Sequence, residues 1–199
     1  MSAQNVEHNL GEAYVLADHL GLDLLNTRAE LHGLSYEFWN SDDDVMRWLA
    51  RVGVTPKDGS AAPPAPGVLK PARELRELAR ELVVQRKRGE QGDPAALNKF
   101  MRAYQTFPHL VRDDTGGYQL VRRASDNSVG QLLGEVAEAV ALLLAEGDFA
   151  LVKECEHPEC VMWFYDRTKA HKRRWCSMAM CGNRHKAAEF RKRNAAAAA

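Results

Sequence analysis

Residues 155–184 read CEHPECVMWFYDRTKAHKRRWCSMAMCGNR, and this stretch holds all four cysteines of the 199-residue chain. Cys155 and Cys160 form one C-x4-C pair and Cys176 and Cys181 a second, with fifteen residues between them. Two close pairs joined by a short insert suit a tetrahedral ion: each pair offers two ligands from one turn, and the insert lets the chain return. Four thiolates at about 2.3 Å leave zinc no open position, which makes such a site structural and not catalytic. Two disulfides are the alternative, and they are rare in a reducing compartment. Four unrelated thiols are hard to reconcile with clustering inside 27 residues. Iron on four thiolates would show the same pattern. His157 lies within the first pair and His171 and His185 flank the second. Any of them could replace a cysteine, but the symmetry of the pairs favours four thiols. Few aliphatic residues follow Cys155, so the metal is expected to hold this segment folded, with binding worth ~10–16 kcal/mol.

The residues around the pairs suggest their local structure. Residues 150–153 read as a short strand entering the first pair, and His157-Pro158 as a tight turn between its ligands. Val161-Met162-Trp163-Phe164-Tyr165 reads as a second, aromatic-rich strand. Residues 168–174 (TKAHKRR) form a basic loop. Gly182, without a Cβ, is expected to let the backbone turn sharply after the last ligand. Asn183 is expected to cap a helix running from Arg184. A knuckle, a hairpin and a helix around four thiolates make a treble-clef-like zinc finger.

The chain carries 27 Lys+Arg against 27 Asp+Glu, but the charge is segregated. Residues 160–194 hold ten basic and two acidic side chains, a net of +8, and the remainder carries −8. The basic end suits a polyanion, nucleic acid first; the plainer reading is a solvated face that keeps the chain soluble. Candidate phosphate contacts are Lys169, Lys172, Arg173, Arg174, Arg184, Lys186 and Arg191, because long cations on a loop and an adjacent helix can straddle a backbone. Arg184 is equally placed to pair with Asp166 or to bond a carbonyl around the metal loop. Trp163 and Tyr165 alternate with Phe164, so they either stack on bases or fill the finger's small core.

The last forty residues resemble the CGNR zinc finger. Its name is spelled by Cys181-Gly182-Asn183-Arg184, and both Arg173-Arg174-Trp175-Cys176-Ser177-Met178 and the Phe164-x-Asp166 step fit its pattern. In that bacterial family the finger follows an N-terminal ABATE domain, described as a stress-induced transcription regulator. Gly21-Leu22-Asp23-Leu24-Leu25-Asn26-Thr27 resembles the short signature near the start of such domains, with Leu24 where an aromatic is usual. Residues 41–54 (SDDDVMRWLARVGV) resemble the short helix that follows, with Val54 in place of Leu. The resemblance implies a zinc-containing regulator in which an N-terminal sensing or assembly domain is joined to a DNA-binding finger, RNA being an open variant. It places the ABATE-like domain at 1–150, the finger at 151–194 and an alanine tail at 195–199.

The N-terminal part reads as mostly helical, giving a mainly α fold with a small β-hairpin. Ser41 caps a helix over residues 42–52, whose three first-turn Asp complement its dipole and whose Val45, Trp48, Leu49 and Val52 form an apolar face. Residues 55–67 (TPKDGSAAPPAPG) read as a long surface loop. Pro71 opens a second helix to about residue 88, and Asp93-Pro94 starts a third carrying Leu97, Phe100, Met101 and Tyr104. Residues 109–112 and 118–122 flank DTGG and predict a hairpin. The strongest helix spans 128–146, with Val129, Leu132, Leu133, Val136, Val140, Leu143 and Leu144 on one face. Its length and apolar width fit a central core helix.

Composition excludes several classes. With 45% apolar and 27% charged residues the chain is globular. Its longest apolar run, residues 139–145, is far short of the ~20 residues that span a bilayer. The N-terminal residues show no export signal, so a cytoplasmic protein is expected. No phosphate loop, nucleophile elbow or His-Glu-x-x-His pair stands out, so no enzyme is expected. Asp23, Asn26 and Thr27 either line a pocket for a small-molecule effector or fix a turn. Trp39 and Trp48 read as core, and the Asp18-His19 dyad is weak evidence for acid–base chemistry. Three functions remain: a DNA-binding regulator, for which a symmetric homodimer is a common form; a finger that binds protein, its charge neutralised by the acidic body; and an enzyme with a pocket at Asp23 and Asn26.

Overall fold

The structure is a computed structural model that describes residues 11–31, 34–54, 66–126 and 128–197. The loop expected at 55–67 falls outside these residues except for its last two positions, and the alanine tail is described as far as Ala197. The described elements run α1 (Leu20–Leu25), β1 (Arg28–Leu31), β2 (Leu34–Glu37), α2 (Asp42–Arg51), α3 (Leu69–Lys87) and α4 (Ala95–Arg102). They continue with β3 (Thr106–Arg112), β4 (Tyr118–Ala124), α5 (Val129–Glu146), β5 (Val152–Glu154), β6 (Trp163–Tyr165), a π-helical turn (Met178–Gly182) and α6 (Asn183–Ala197). The six strands form three antiparallel pairs, β1–β2, β3–β4 and β5–β6. The fold is mainly α with small strand pairs.

Helix α5 is the centre of the core. Ser128 caps it, its hydroxyl accepting from the Gln131 N–H at 3.2 Å. Leu132, Leu133, Val136, Val140 and Leu143 are buried along it, each worth roughly 1.5–3 kcal/mol against exposure. It packs on α1, α3 and α4. Gly134 permits the closest approach: a Cβ there would lie 2.7 Å from the Tyr104 Cβ and 3.0 Å from the Phe100 carbonyl oxygen.

Helix α2 starts as its sequence suggests, with a reciprocal capping box between Ser41 and Asp44. The neighbouring Asp42 has a second role. Its carboxylate accepts from the N–H groups of Gly67 and Leu69 at 2.8 Å, capping α3, which has no side-chain cap of its own. Trp39 and Trp48 meet edge to face at 5.2 Å and are buried. Below them Arg76, 3% exposed in its side chain, is held by both oxygens of Glu37 at 2.8 and 2.6 Å and by Glu77 at 2.9 Å.

Two features exceed the expectation. The β3–β4 hairpin is longer than its 109–112 and 118–122 core, and α1 with the β1–β2 pair falls where sequence periodicity indicates no element. The second helix begins and ends, and the third begins, within two residues of the expected positions.

Candidate metal centre and nucleic-acid interface

The first cysteine pair closes the β5–β6 hairpin. Cys155 donates its N–H to the Met162 carbonyl at 2.9 Å, and Cys160 to that of His157 at 3.0 Å, so the knuckle is an extension of the ladder. The second pair enters a helix. Ser177 caps the π-helical turn, its hydroxyl accepting from Met180 at 3.4 Å and its carbonyl from Cys181 and Gly182 at 3.0 and 3.1 Å. Cys181 thus sits on the helix, which runs on into α6. This corrects two expectations. Ser177 is the cap, six residues before Asn183. Gly182 continues the helix and makes no sharp turn, and a Cβ there would lie 2.6 Å from the sulfur of the half-exposed Met178 and 3.2 Å from the Trp175 ring.

All four sulfurs lie within 4.8 Å of one another and all four cysteines are buried. Cys160 and Cys176 are 3.8 Å apart at Sγ, and Cys176 and Cys181 3.5 Å. Zinc–sulfur bonds of about 2.3 Å in a tetrahedron set sulfur–sulfur edges near 3.8 Å. A disulfide would need about 2.0 Å, and none is formed. The crowding pushes the Cys176 and Cys181 thiols up, through the sulfurs of Cys155 and Cys160. A divalent cation at the centre removes that conflict and lets all four ionise. The donor set is therefore arranged to hold a metal ion and suits zinc. The histidines stand aside: His157 accepts from the Glu159 N–H at 3.3 Å, and His185 lies on the Trp175 ring at 4.7 Å.

Strand β6 joins this centre to the N-terminal part. The Asn26 side chain behaves as a peptide group: its Nδ2 donates to the Trp163 carbonyl and its Oδ1 accepts from the Trp163 N–H, both at 2.9 Å. Tyr165 donates its N–H to the Ala17 carbonyl at 2.8 Å. Met162, Trp163 and Phe164 are buried in one continuous core with α1 and α5 residues. The aromatic strand fills core with Trp163 and Phe164.

Two charged residues lock the same junction. Asp166 is fully buried and accepts from the Lys153 ammonium at 2.7 Å, the Thr168 hydroxyl at 2.6 Å, and the N–H groups of Thr168 and Arg173 at 3.1 and 2.9 Å. Burial would push its carboxyl up; these donors outweigh it and hold the carboxyl well below the usual range. Arg173 lies over the Phe164 ring at 4.3 Å. Its guanidinium bonds Asp18 at 2.5 Å, the Leu16 carbonyl at 2.9 Å, the Trp175 carbonyl at 3.0 Å and the Cys176 carbonyl at 2.6 Å. Asp18 adopts a left-handed φ of 56° and also accepts from Arg167 at its carbonyl.

These contacts bear on the two readings of Asp23, Asn26 and Thr27, a pocket lining or a turn. Asp23 accepts from the N–H groups of Leu16 and Ala17 at 2.8 and 2.9 Å, and burial pushes its carboxyl above the usual range against those bonds. Thr27 donates to the Leu24 carbonyl at 2.7 Å and accepts from Arg76 at 3.3 Å. With Asn26 committed to Trp163, the polar atoms of Asp23, Asn26 and Thr27 meet their own chain, as the turn reading requires.

The family model described as "Putative stress-induced transcription regulator", ABATE, matches residues 18–147, and the CGNR zinc finger model matches residues 152–194. The chain belongs to the ABATE family. The two matches meet at the β5–β6 hairpin, where the ABATE unit and the CGNR finger share their core. No curated protein matches the chain.

The basic residues of the CGNR finger divide into two sets. Arg173 has its donors engaged between the ABATE unit and the metal knuckle, where it clamps the junction. Arg184 pairs with Glu159 at 3.0 Å. Arg174 is exposed, lies over Trp175 and meets Glu156 at 2.5 Å. Lys169, Lys172, Lys186 and Arg191 are exposed, on the loop and on α6. An open hollow of about 670 Å³ beside the loop is lined by Thr168, Lys172, Arg174, Trp175, Ser177 and Met178 among others. A second, of about 530 Å³, lies between the first knuckle and α6. No helix among the described residues is long and apolar enough to cross a membrane.

Proposed function

We propose that this zinc-binding regulator acts by binding DNA through its CGNR finger. Helix α6 carries the proposal. It holds Arg184, Lys186, Arg191, Lys192 and Arg193 against one acidic residue, Glu189, and it is exposed on nearly all sides beyond its first turn. A helix polar all round gains little from packing, so its stability rests on its ends or on a ligand. Here the metal knuckle anchors its N-terminus through Cys181, and a polyanion would neutralise its length. Lys169 and Lys172 on the neighbouring loop extend the positive surface past the knuckle. On this reading the protein is a cytoplasmic, bacterial regulator of a stress response and not an enzyme, and the ABATE unit serves assembly. Closure of the Asp23–Asn26–Thr27 turn favours assembly over effector sensing at that place.

A second reading has its own support. Arg173, Arg174 and Arg184 are all ion-paired within the chain, which lowers the free positive charge and suits a finger that meets protein. Fluorescence anisotropy of labelled duplex DNA with the zinc-loaded protein separates the two. DNA binding should weaken steeply with salt. Lys186→Gln with Arg191→Gln, and Lys169→Gln with Lys172→Gln, should each lower affinity and reduce the salt slope by about one for every phosphate no longer neutralised. Arg173→Gln is unsuitable as a control, since it disturbs the junction. Absence of binding at low salt, or variants indistinguishable from the parent, would reject the DNA reading in favour of a protein partner.

A further inference from the structure

The β3–β4 hairpin stands apart from the core. It is a two-stranded sheet with Leu110 60% exposed, Leu120 70% and Tyr118 68%. An isolated two-stranded hairpin is marginal in water, and an uncovered edge invites another strand.

The phase of the ladder identifies which edge is competent. Asp113 donates its N–H to the Gly117 carbonyl at 3.0 Å and Ser125 to that of Gln105 at 2.9 Å, which marks these as hydrogen-bonded pairs. The register alternates from them, so Thr106↔Ala124, Pro108↔Arg122, Leu110↔Leu120 and Arg112↔Tyr118 are the intervening pairs. The main-chain groups of those residues point outward. On β3 the outward set includes Pro108, which has no N–H, so that edge is interrupted. On β4 the outward set is Tyr118, Leu120, Arg122 and Ala124, each with both its N–H and its carbonyl.

We propose that β4 pairs with β4 of a second copy, antiparallel about a two-fold axis at Leu120. The choice of a second copy follows from self-complementarity. Placing Leu120 opposite Leu120 of the other chain uses the outward groups as hydrogen-bonded pairs, and it sets Tyr118 opposite Arg122 and Arg122 opposite Tyr118. No like charges face each other, each Arg122 meets an aromatic face, and the two leucines of each hairpin merge into one apolar stripe. The result is a four-stranded sheet in the order β3-β4-β4-β3 with Pro108 kept on its outer edges, where proline is tolerated. A hairpin contact of this kind is smaller than the roughly 800 Å² per partner of a standard interface, so the dimer depends on concentration. It would present two CGNR fingers about one axis, but the pairing itself does not rest on DNA binding.

Sedimentation velocity of the full-length, zinc-loaded protein, without DNA and across a roughly hundredfold concentration range, tests it. The parent should move from the mass of one chain toward two. Leu120→Glu places two carboxylates opposite each other across the axis and should hold the protein at one chain throughout. Because Leu120 packs in no core, the far-UV spectrum of that variant should be unchanged. Leu120→Cys should form a covalent dimer on mild oxidation, and Leu142→Cys, an exposed position on α5, should not. A parent that stays at one chain, a Leu120→Glu variant that still dimerises, or equal cross-linking at both cysteine positions would overturn the proposal.

Discussion

Asn26 is where the junction between the ABATE unit and the CGNR finger is most directly testable. Asn26 is 1% exposed, and its amide exchanges two 2.9 Å hydrogen bonds with the main chain of Trp163, itself buried. Asn26→Ala removes both partners and leaves the Trp163 N–H and carbonyl facing a space too enclosed for free solvation. A buried polar group left unpaired costs ~1–3 kcal/mol, so two groups cost about 2–6 kcal/mol, with a central value near 4. For a chain of this size each kcal/mol lowers the Tm by roughly 2–4 °C, which gives a fall of about 8–16 °C. Thermal and urea unfolding of the zinc-loaded protein read this directly. Asn26→Asp keeps the size of the side chain and an acceptor for the Trp163 N–H, but it turns a carboxylate oxygen toward the Trp163 carbonyl, so it should be no more stable than Asn26→Ala. Hydrogen exchange should show the Trp163 amide opening faster in both variants, while amides in the middle of α5 respond only through global stability. A loss below about 1 kcal/mol for Asn26→Ala, the range of an ordinary surface change, would refute the claim that this amide carries the junction.

Two further perturbations test the core and the metal centre. Glu37→Gln should cost roughly 1.5–3 kcal/mol, because it removes one of the two carboxylates that face the nearly buried Arg76 and leaves Glu77 in place. Burial pushes the Glu37 carboxyl up, but the bond from Arg76 more than offsets it and holds the carboxyl below its usual value. The stabilisation is therefore complete above about pH 4.3 and is lost as the pH falls below it, so the urea midpoints of parent and variant should converge on acidification. Cys181→Ser should reduce metal content from about one zinc per chain to none. Far-UV dichroism should then lose most of the contribution of α6, since its N-terminus is anchored by the metal, while the β5–β6 hairpin persists through Asn26 and Ala17.

Much of the architecture is legible locally. The four cysteines disclose the metal centre because metal ligands must be of the right type at the right spacing, and here both pairs lie within six-residue turns. Ser41 with Asp44 and Ser128 with Gln131 are caps whose partners lie three residues on, so their helices are readable at their starts. The apolar face of α5 is readable because its periodicity persists over 18 residues. Helix α1 is only six residues long and β1 and β2 four each, too short for a period to emerge, so sequence periodicity does not reveal them.

The sequence by itself determined the metal site, the long core helix and the segregation of charge, because each depends on residue type and near neighbours. Only the tertiary structure decided what individual polar side chains do. Asn26 reads equally as a pocket residue or as part of a local turn until Trp163, 137 positions away, is seen to take both its hydrogen bonds. Arg173 looks like one more phosphate contact until Leu16 and Asp18, more than 150 positions earlier, engage its guanidinium. Asp42 reads as a first-turn carboxylate of its own helix, and the fold makes it the cap of α3 as well. The physical reason is common to all three. A buried donor or acceptor must find a partner wherever the fold brings one within about 3 Å, and distance along the chain carries no information about that meeting.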